Sequence, residues 1–300
     1  MPSLEEIQRT IGATDSLKSV IRTMKIMAAV SLRQYERTLY SLADHARTIE
    51  DALSVIVKFL PVNTRYFRTK FDVSKRTAVV LFGSDLGMCG QFNDDIAAYC
   101  VRTLAGMGIR AENSLMITIG EKIVPRIEGN GFPIAETIPY PAGLQTGITP
   151  ILHDFILLLE RLHDGGIQNV LLFHNRPVGE LAYASHMRTL LPIDPEYLLS
   201  LRGRKWRSKS IPAIAGDTHM LLREAIRHHL YASLFRAFVD SLAGENAARL
   251  MAMQAAEKHV DEHLDELRGR YNAVRQEAIT SELLDIIAGF ETLTASAPGS

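Results

Sequence analysis

Residues 32–61 read LRQYERTLYSLADHARTIEDALSVIVKFLP. Leu32, Tyr35, Leu39, Leu42, Ala46, Ile49, Leu53, Ile56 and Leu60 recur at steps that alternate three and four. That spacing is a heptad stripe, an apolar seam along a helix wound at about 3.5 residues per turn. Upstream, Leu4, Ile7, Ile11, Leu17, Ile21, Met24 and Ala28 continue the seam with some drift, and no proline falls between Ser3 and Leu60. Pro61 ends it, because proline lacks the amide donor and clashes with the preceding turn.

The last third of the chain mirrors this. Asp217, after Gly216, is a helix N-cap, and a proline-free helical pattern then runs to about Phe290. Its strictest stretch is Val260, Leu264, Leu267, Tyr271, Val274 and Ala278. At 1.5 Å per residue the two helices would be about 85 Å and roughly 110 Å long, beyond the width of a compact domain. Two such stripes are covered most simply by winding antiparallel around each other.

Between them the period changes. Thr77–Phe82, Ser114–Ile119 and Gln168–Phe173 are short apolar runs rich in β-branched and aromatic residues, which predicts buried strands. Helical stretches near 91–106, 121–129 and 149–163 separate them, and strands alternating with helices predict a largely parallel sheet. Leu181–Leu191 reads as an added edge strand, and the segments near 129–150 and 203–216 as loops. The expected fold is an α/β domain inserted between two long terminal helices that form an antiparallel coiled coil. By element this gives a coiled-coil helix over 1–60, a Rossmann-like α/β domain over 61–216, a second coiled-coil helix over 217–293 and a disordered tail over 294–300.

Composition narrows the function. The 300 residues are 47% hydrophobic and 22% charged with a net charge of -1, which gives no global pull towards nucleic acid or anionic lipid. Cys89 and Cys100 are too few for a disulfide scaffold and match no zinc spacing, so a reduced compartment is expected. No apolar run approaches the length of a membrane span, and the acidic start MPSLEEIQRT does not read as a signal peptide.

Several constellations carry a sharp reading beside a bland one. Gly83–Gly90 follows a strand and precedes a helix, as phosphate loops do, but contains neither phosphate fingerprint; a tight turn accounts for its glycines. Cys89 lies near a helix start, with no base indicated to activate it. His259-Val260-Asp261-Glu262-His263 matches the H-x-x-E-H metalloprotease pattern, yet it straddles the coiled-coil stripe, and no metal is expected there. Arg202, Arg204, Lys205, Arg207 and Lys209 cluster around Trp206 and suit a docking patch for an acidic protein partner.

Three segments resemble the F-type ATP synthase gamma subunits. Arg22–Ala29 is similar to the family's K-A-M-K-M-V-A-A, and Ser84–Gly90 to S-D-R-G-L-C-G. Leu242–Met253 resembles L-A-S-E-x-A-A-R-M-x-A-M, followed at the family's spacing by Asp265-Glu266-Leu267, Tyr271-Asn272 and Arg275–Leu283. Departures include Leu86 for the usual Arg, Gln91 for Gly, Val30-Ser31 for Ser-Lys and Ala273-Val274 for Lys-Ala; they suggest a divergent branch, with the sodium-linked N-ATPase type as the candidate. The resemblance implies a non-catalytic rotor shaft without cofactors. Its implied partners are three alpha and three beta subunits, epsilon and the membrane c-ring, at the cytoplasmic face of a bacterial inner membrane. Carried over by position, beta-subunit contacts fall on Met24, Lys25, Arg249, Arg275, Gln276 and Thr280. The residues alone leave open a coiled-coil adaptor, or an α/β enzyme with its site at the Gly83–Gly90 turn.

Overall fold

A computed structural model of the chain describes residues 3–61, 64–140, 144–179, 182–206, 209–210 and 212–295. The elements in order are α1 (Leu4–Lys58), β1 (Thr77–Phe82), α2 (Phe92–Met107), β2 (Ser114–Ile119), α3 (Val124–Glu128), β3 (Ile134–Ile138), α4 (Leu144–Asp164), β4 (Asn169–Val178), β5 (Ala182–Leu191), α5 (Pro195–Gly203) and α6 (Thr218–Ala295). Both long helices expected from the stripes are continuous, and the sheet domain lies between them in the chain. Thr294 and Ala295 close α6; the remainder of the expected tail lies outside the described residues.

Packing groups the chain into two compact units, 28–251 and 1–27 with 252–300. The second half of α1 and the first part of α6 thus pack with the sheet.

In the larger unit the sheet runs β3-β2-β1-β4-β5. β1 pairs parallel with β2 and β4, β2 pairs parallel with β3, and β5 returns antiparallel along β4. Strand side chains alternate between faces. Val79, Leu81, Met116, Leu171 and Phe173 pack with Ile96, Cys100 and Leu104 of α2. Ala78, Val80, Phe82, Ile117 and Leu172 face Leu152 and Phe155 of α4, and Leu234 and Phe238 of α6. With both faces covered, the inner strands need continuous apolar runs, which is why they were legible. A third cluster joins Ile49, Leu53 and Val57 of α1 to Leu198 and Leu201 of α5 and Leu222 of α6. Ala28 and Leu32 of α1 meet Ala243, Ala247 and Leu250 of α6. Contacts that climb one helix as they descend the other make the pair antiparallel.

In the smaller unit Ile7, Ile21, Leu264 and Leu267 are buried. Lys18 pairs with Asp261, and Arg22 and Lys25 both pair with Glu257. Two details of the expected seam are corrected here. Leu17 is 51% exposed, because the three-four stepping from Ile11 to Ile21 passes through Thr14 and Lys18 instead. Ala278 is exposed too, as is every residue from Arg275 to Ile287.

Two elements in the larger unit had no expectation of their own. β3 falls within the segment read as a loop; it is a half-exposed edge strand, Ile-Ala-Glu-Thr-Ile, without an apolar run. α5 did carry a start signal, Asp194-Pro195-Glu196: the Asp194 carboxylate accepts from the Glu196 amide at 2.9 Å, and proline occupies the first turn.

Phe238, fully buried between α6 and the sheet, stands edge-on to Phe82 at a centroid distance of 4.9 Å. Phe238→Ala should cost about 3–5 kcal/mol in chemical denaturation of the full chain. Exposed Met220→Ala on the same helix should stay within about 0.5 kcal/mol. Equal effects from the two substitutions would contradict this packing.

Candidate functional site

The loop after β1 is built from the strand end outward. The Gly83 amide donates to the Ile119 carbonyl at 2.8 Å, and a Cβ at Gly83 would lie 2.4 Å from that of Ile123. The glycine is required by close packing against the neighbouring crossover. Buried Ser84 accepts from Asn93 Nδ2 at 2.9 Å, and its Oγ sits 3.6 Å from Cys89 Sγ. Burial pushes the Cys89 thiol above its usual range, the opposite of an activated nucleophile. The Asp85 carboxylate accepts from the amides of Glu121 at 2.8 Å and Tyr140 at 2.7 Å, tying this loop to the ends of β2 and β3. The side chains of Ser84 and Asp85 are thus engaged within the fold. Leu86 and Met88 are left outward and exposed, Met88 at φ +62°.

Beneath the loop lies a buried ion pair. Glu245 and Arg249, one turn apart on α6, are 5% and 8% exposed and bonded to each other. Arg249 also donates to the Leu86 carbonyl at 3.2 Å and more weakly to Asn246 Oδ1 at 3.4 Å. Burial holds the Glu245 carboxyl above the ordinary carboxylate range, against the pull of Arg249. The sequence showed Glu245 and Arg249 only as two positions of one family motif, and their pairing was not read from it. The available signal was opposite charge at i and i+4 inside an otherwise small-residue stretch. Arg249, expected at a beta-subunit contact, spends these donors inside the fold.

The other expected contact residues lie in the smaller unit. Lys25 is occupied by Glu257, Met24 is half-buried beside the seam, and Arg275, Gln276 and Thr280 are exposed. Thr280 Oγ1 donates to the backbone carbonyl of Gln276 at 2.8 Å.

The basic cluster divides in two. Arg202 donates to the carbonyls of Val57 at 3.2 Å and Leu60 at 2.6 Å, capping the end of α1. Arg204 pairs with Glu50 at 3.2 Å and Asp51 at 3.5 Å, and its carbonyl accepts from Lys58 Nζ at 2.7 Å. These two arginines join α1 to α5, a use that local clustering does not reveal. Lys205, Trp206 and Lys209 remain exposed; Arg207 lies outside the described residues.

His259 and His263 are exposed and lie within 3.5 and 3.9 Å of Glu262 and Glu266 on their own helix. Among the described residues no group of three or more His, Cys, Asp or Glu side chains is arranged to hold a metal ion. No helix among the described residues is long and apolar enough to cross a membrane.

The family model for ATP synthase matches residues 3–293. The chain belongs to that family. A similar relative is the ATP synthase gamma chain of Bacteroides thetaiotaomicron, 29% identical over 301 residues, spanning 96% of this chain and 99% of that one. The gamma chain of Clostridium acetobutylicum is 26% identical and spans 96% and 97%. Among solved structures, a chain of the Euglena gracilis mitochondrial ATP synthase (OSCP/F1/c-ring) shares the fold at a TM-score of 0.65 and 17% identity, covering 99% of this chain and 96% of that one. A chain of the Tetrahymena thermophila central stalk and c-ring aligns at a TM-score of 0.57 and 20% identity, covering 79% and 99%.

Arg249→Ala should therefore act on stability. It strands a buried carboxylate, at a cost of about 3–5 kcal/mol. The folded-state pKa of Glu245 lies above its unfolded value, so the folded state holds more protons and stability falls as pH rises through that window. The deficit of the variant should be larger at pH 8 than at pH 5, and Glu245→Gln in the same chain should recover part of it. Denaturation curves at both pH values check this; a cost independent of pH and of residue 245 would refute it.

Proposed function

We propose that this chain is the central shaft, the gamma subunit, of a rotary ATP synthase, a non-catalytic part that transmits torque. The observation that carries the reading is the pair of continuous antiparallel helices, α1 and α6, with a five-stranded α/β domain between them in the chain. The names of the relatives and the rotor and central-stalk structures support it. So does the surface of the helices. Ile279, Leu283, Leu284, Ile286 and Ile287 are exposed near the end of α6, and Leu17, Val20, Ile26, Met27 and Val30 along α1. Apolar surface on that scale calls for partners that enclose it.

In this reading three alpha and three beta subunits surround the helix pair, and epsilon and the membrane c-ring engage the α/β domain. The assembly works at the cytoplasmic face of a bacterial inner membrane, where the chain is peripheral and the coupling ion is a proton or sodium. The angle of a stiff, asymmetric shaft biases which beta site is open, so that rotation and nucleotide turnover are linked. Met24, Lys25, Arg275, Gln276 and Thr280 are the proposed contacts with beta. Among the described residues of the proposed docking patch, Lys205 and Lys209 are exposed.

Affinity purification of the tagged full chain from its native cells should recover alpha and beta subunits at one copy to three and three. Recovery alone, or with unrelated partners, supports the adaptor alternative and sinks this reading. In the assembled complex, Gln276→Ala and Thr280→Ala should slow ATP turnover or loosen its link to ion transport, with helicity by circular dichroism unchanged. A lost hydrogen bond to a neutral group is worth about 1 kcal/mol, or roughly fivefold in rate. Parent-like coupling in both variants would remove these residues from the contact set.

A further inference from the structure

On the α6 side of the sheet, where β4 and β5 twist past α1 and α6, the larger unit holds a cavity of about 590 Å³. Its polar wall is made by His174 and Arg176 from β4, His186 and Arg188 from β5, and Arg236 and Asp240 from α6. Leu39, Pro177, Val178 and Ala237 complete it with apolar surface. Three arginines and a single carboxylate thus line one cavity. Asp240 already lies 3.6 Å from Arg236 Nε and 3.7 Å from His174 Nε2. Among the described residues no carboxylate lies within ion-pair distance of Arg176 or Arg188.

Crowding of like charge is costly without a counter-ion. Arg188 is partly desolvated beside Arg236, and its guanidinium is held below the usual arginine range by burial first and by that neighbour second. His186 is likewise held down by burial, then by His174, Arg176 and Arg188. His174 is buried and its Nδ1 has no hydrogen-bond partner. A wall of this kind repels metal cations and suits an oxyanion, which arginine forks bind bidentately.

We propose that this cavity binds a small organic phosphate, with the phosphoryl group on Arg176, Arg188 and Arg236 and the carbon body against the apolar wall. The volume favours an organic phosphate over bare orthophosphate, since pockets of roughly 300–1,000 Å³ accommodate whole small molecules. A ligand seated here touches α1, β4, β5 and α6 at once. Its binding therefore braces the helix pair against the sheet and raises the stability of the folded chain by mass action.

The test is calorimetric titration and thermal melting of the purified full chain with AMP, orthophosphate and adenosine as probes. AMP should bind saturably and raise the melting temperature, orthophosphate should bind more weakly, and adenosine should not bind. The double substitution Arg188→Gln, Arg236→Gln should weaken AMP binding by about tenfold or more, as expected for lost charged hydrogen bonds. Arg102→Gln, on the exposed face of α2, should leave it unchanged. Should the double variant misfold by circular dichroism, the single change Arg176→Gln, at an exposed position, should still weaken AMP binding severalfold. Absence of saturable AMP binding up to about 1 mM overturns the proposal. Binding of orthophosphate alone, or AMP binding that withstands every cavity substitution, does the same.

Discussion

The buried pair Glu245–Arg249 ties α6 to the loop after β1. It lies where α6 crosses the end of β1, and through Arg249 the helix grips the carbonyl of Leu86 in the loop that leaves that strand. Asp85 in the same loop holds the amides of Glu121 and Tyr140, so loop, sheet ends and helix are fixed by one connected set of charged hydrogen bonds. A buried ion pair seldom adds much net stability, because desolvation offsets the attraction. What it supplies is registry: α6 cannot slide by a turn without leaving a bare charge in the core.

This explains how much of the fold could be read from the sequence. The long helices were legible because a seam that repeats over many turns has few alternative readings, and the inner strands because both sheet faces are covered. β3 and α5 were not read. A half-exposed edge strand such as Ile134–Ile138 needs no apolar run, and a nine-residue helix is too short to show a period. Leu17 shows the limit from the other side: it fits the stripe by residue type, yet packing routes the seam through Lys18, whose pairing with Asp261 appears only once both helices are present.

Individual roles were less legible, and for a physical reason. An arginine has the same letter whether it caps a helix, pairs inside the core or faces a partner. Arg202 and Arg204 sit among other basic residues in sequence but are drawn off to α1, by its terminal carbonyls and by Glu50 and Asp51. Arg249 is drawn into the core by Glu245. The arginines of the cavity come from three separate elements and are invisible as a cluster until the sheet and α6 are assembled.

Helix α6 itself meets three environments along its length. From Ala232 to Leu250 it is largely enclosed, wedged between the sheet and α1. There its small residues do the fitting: a Cβ placed on Gly244 would already touch the Asn175 carbonyl at 3.4 Å, so the helix backbone rests against β4 with room for little more than a methyl group. On the other flank, Ala243 and Ala247 let Ala28 of α1 approach closely. From Val260 to Val274 a narrow stripe is covered by α1, and from Arg275 to Ile287 every residue is exposed. The size and spacing of its residues distinguish these stretches. Small residues on two flanks allow tight seating, a heptad allows pairing with one partner, and an apolar surface without an internal neighbour requires an external one.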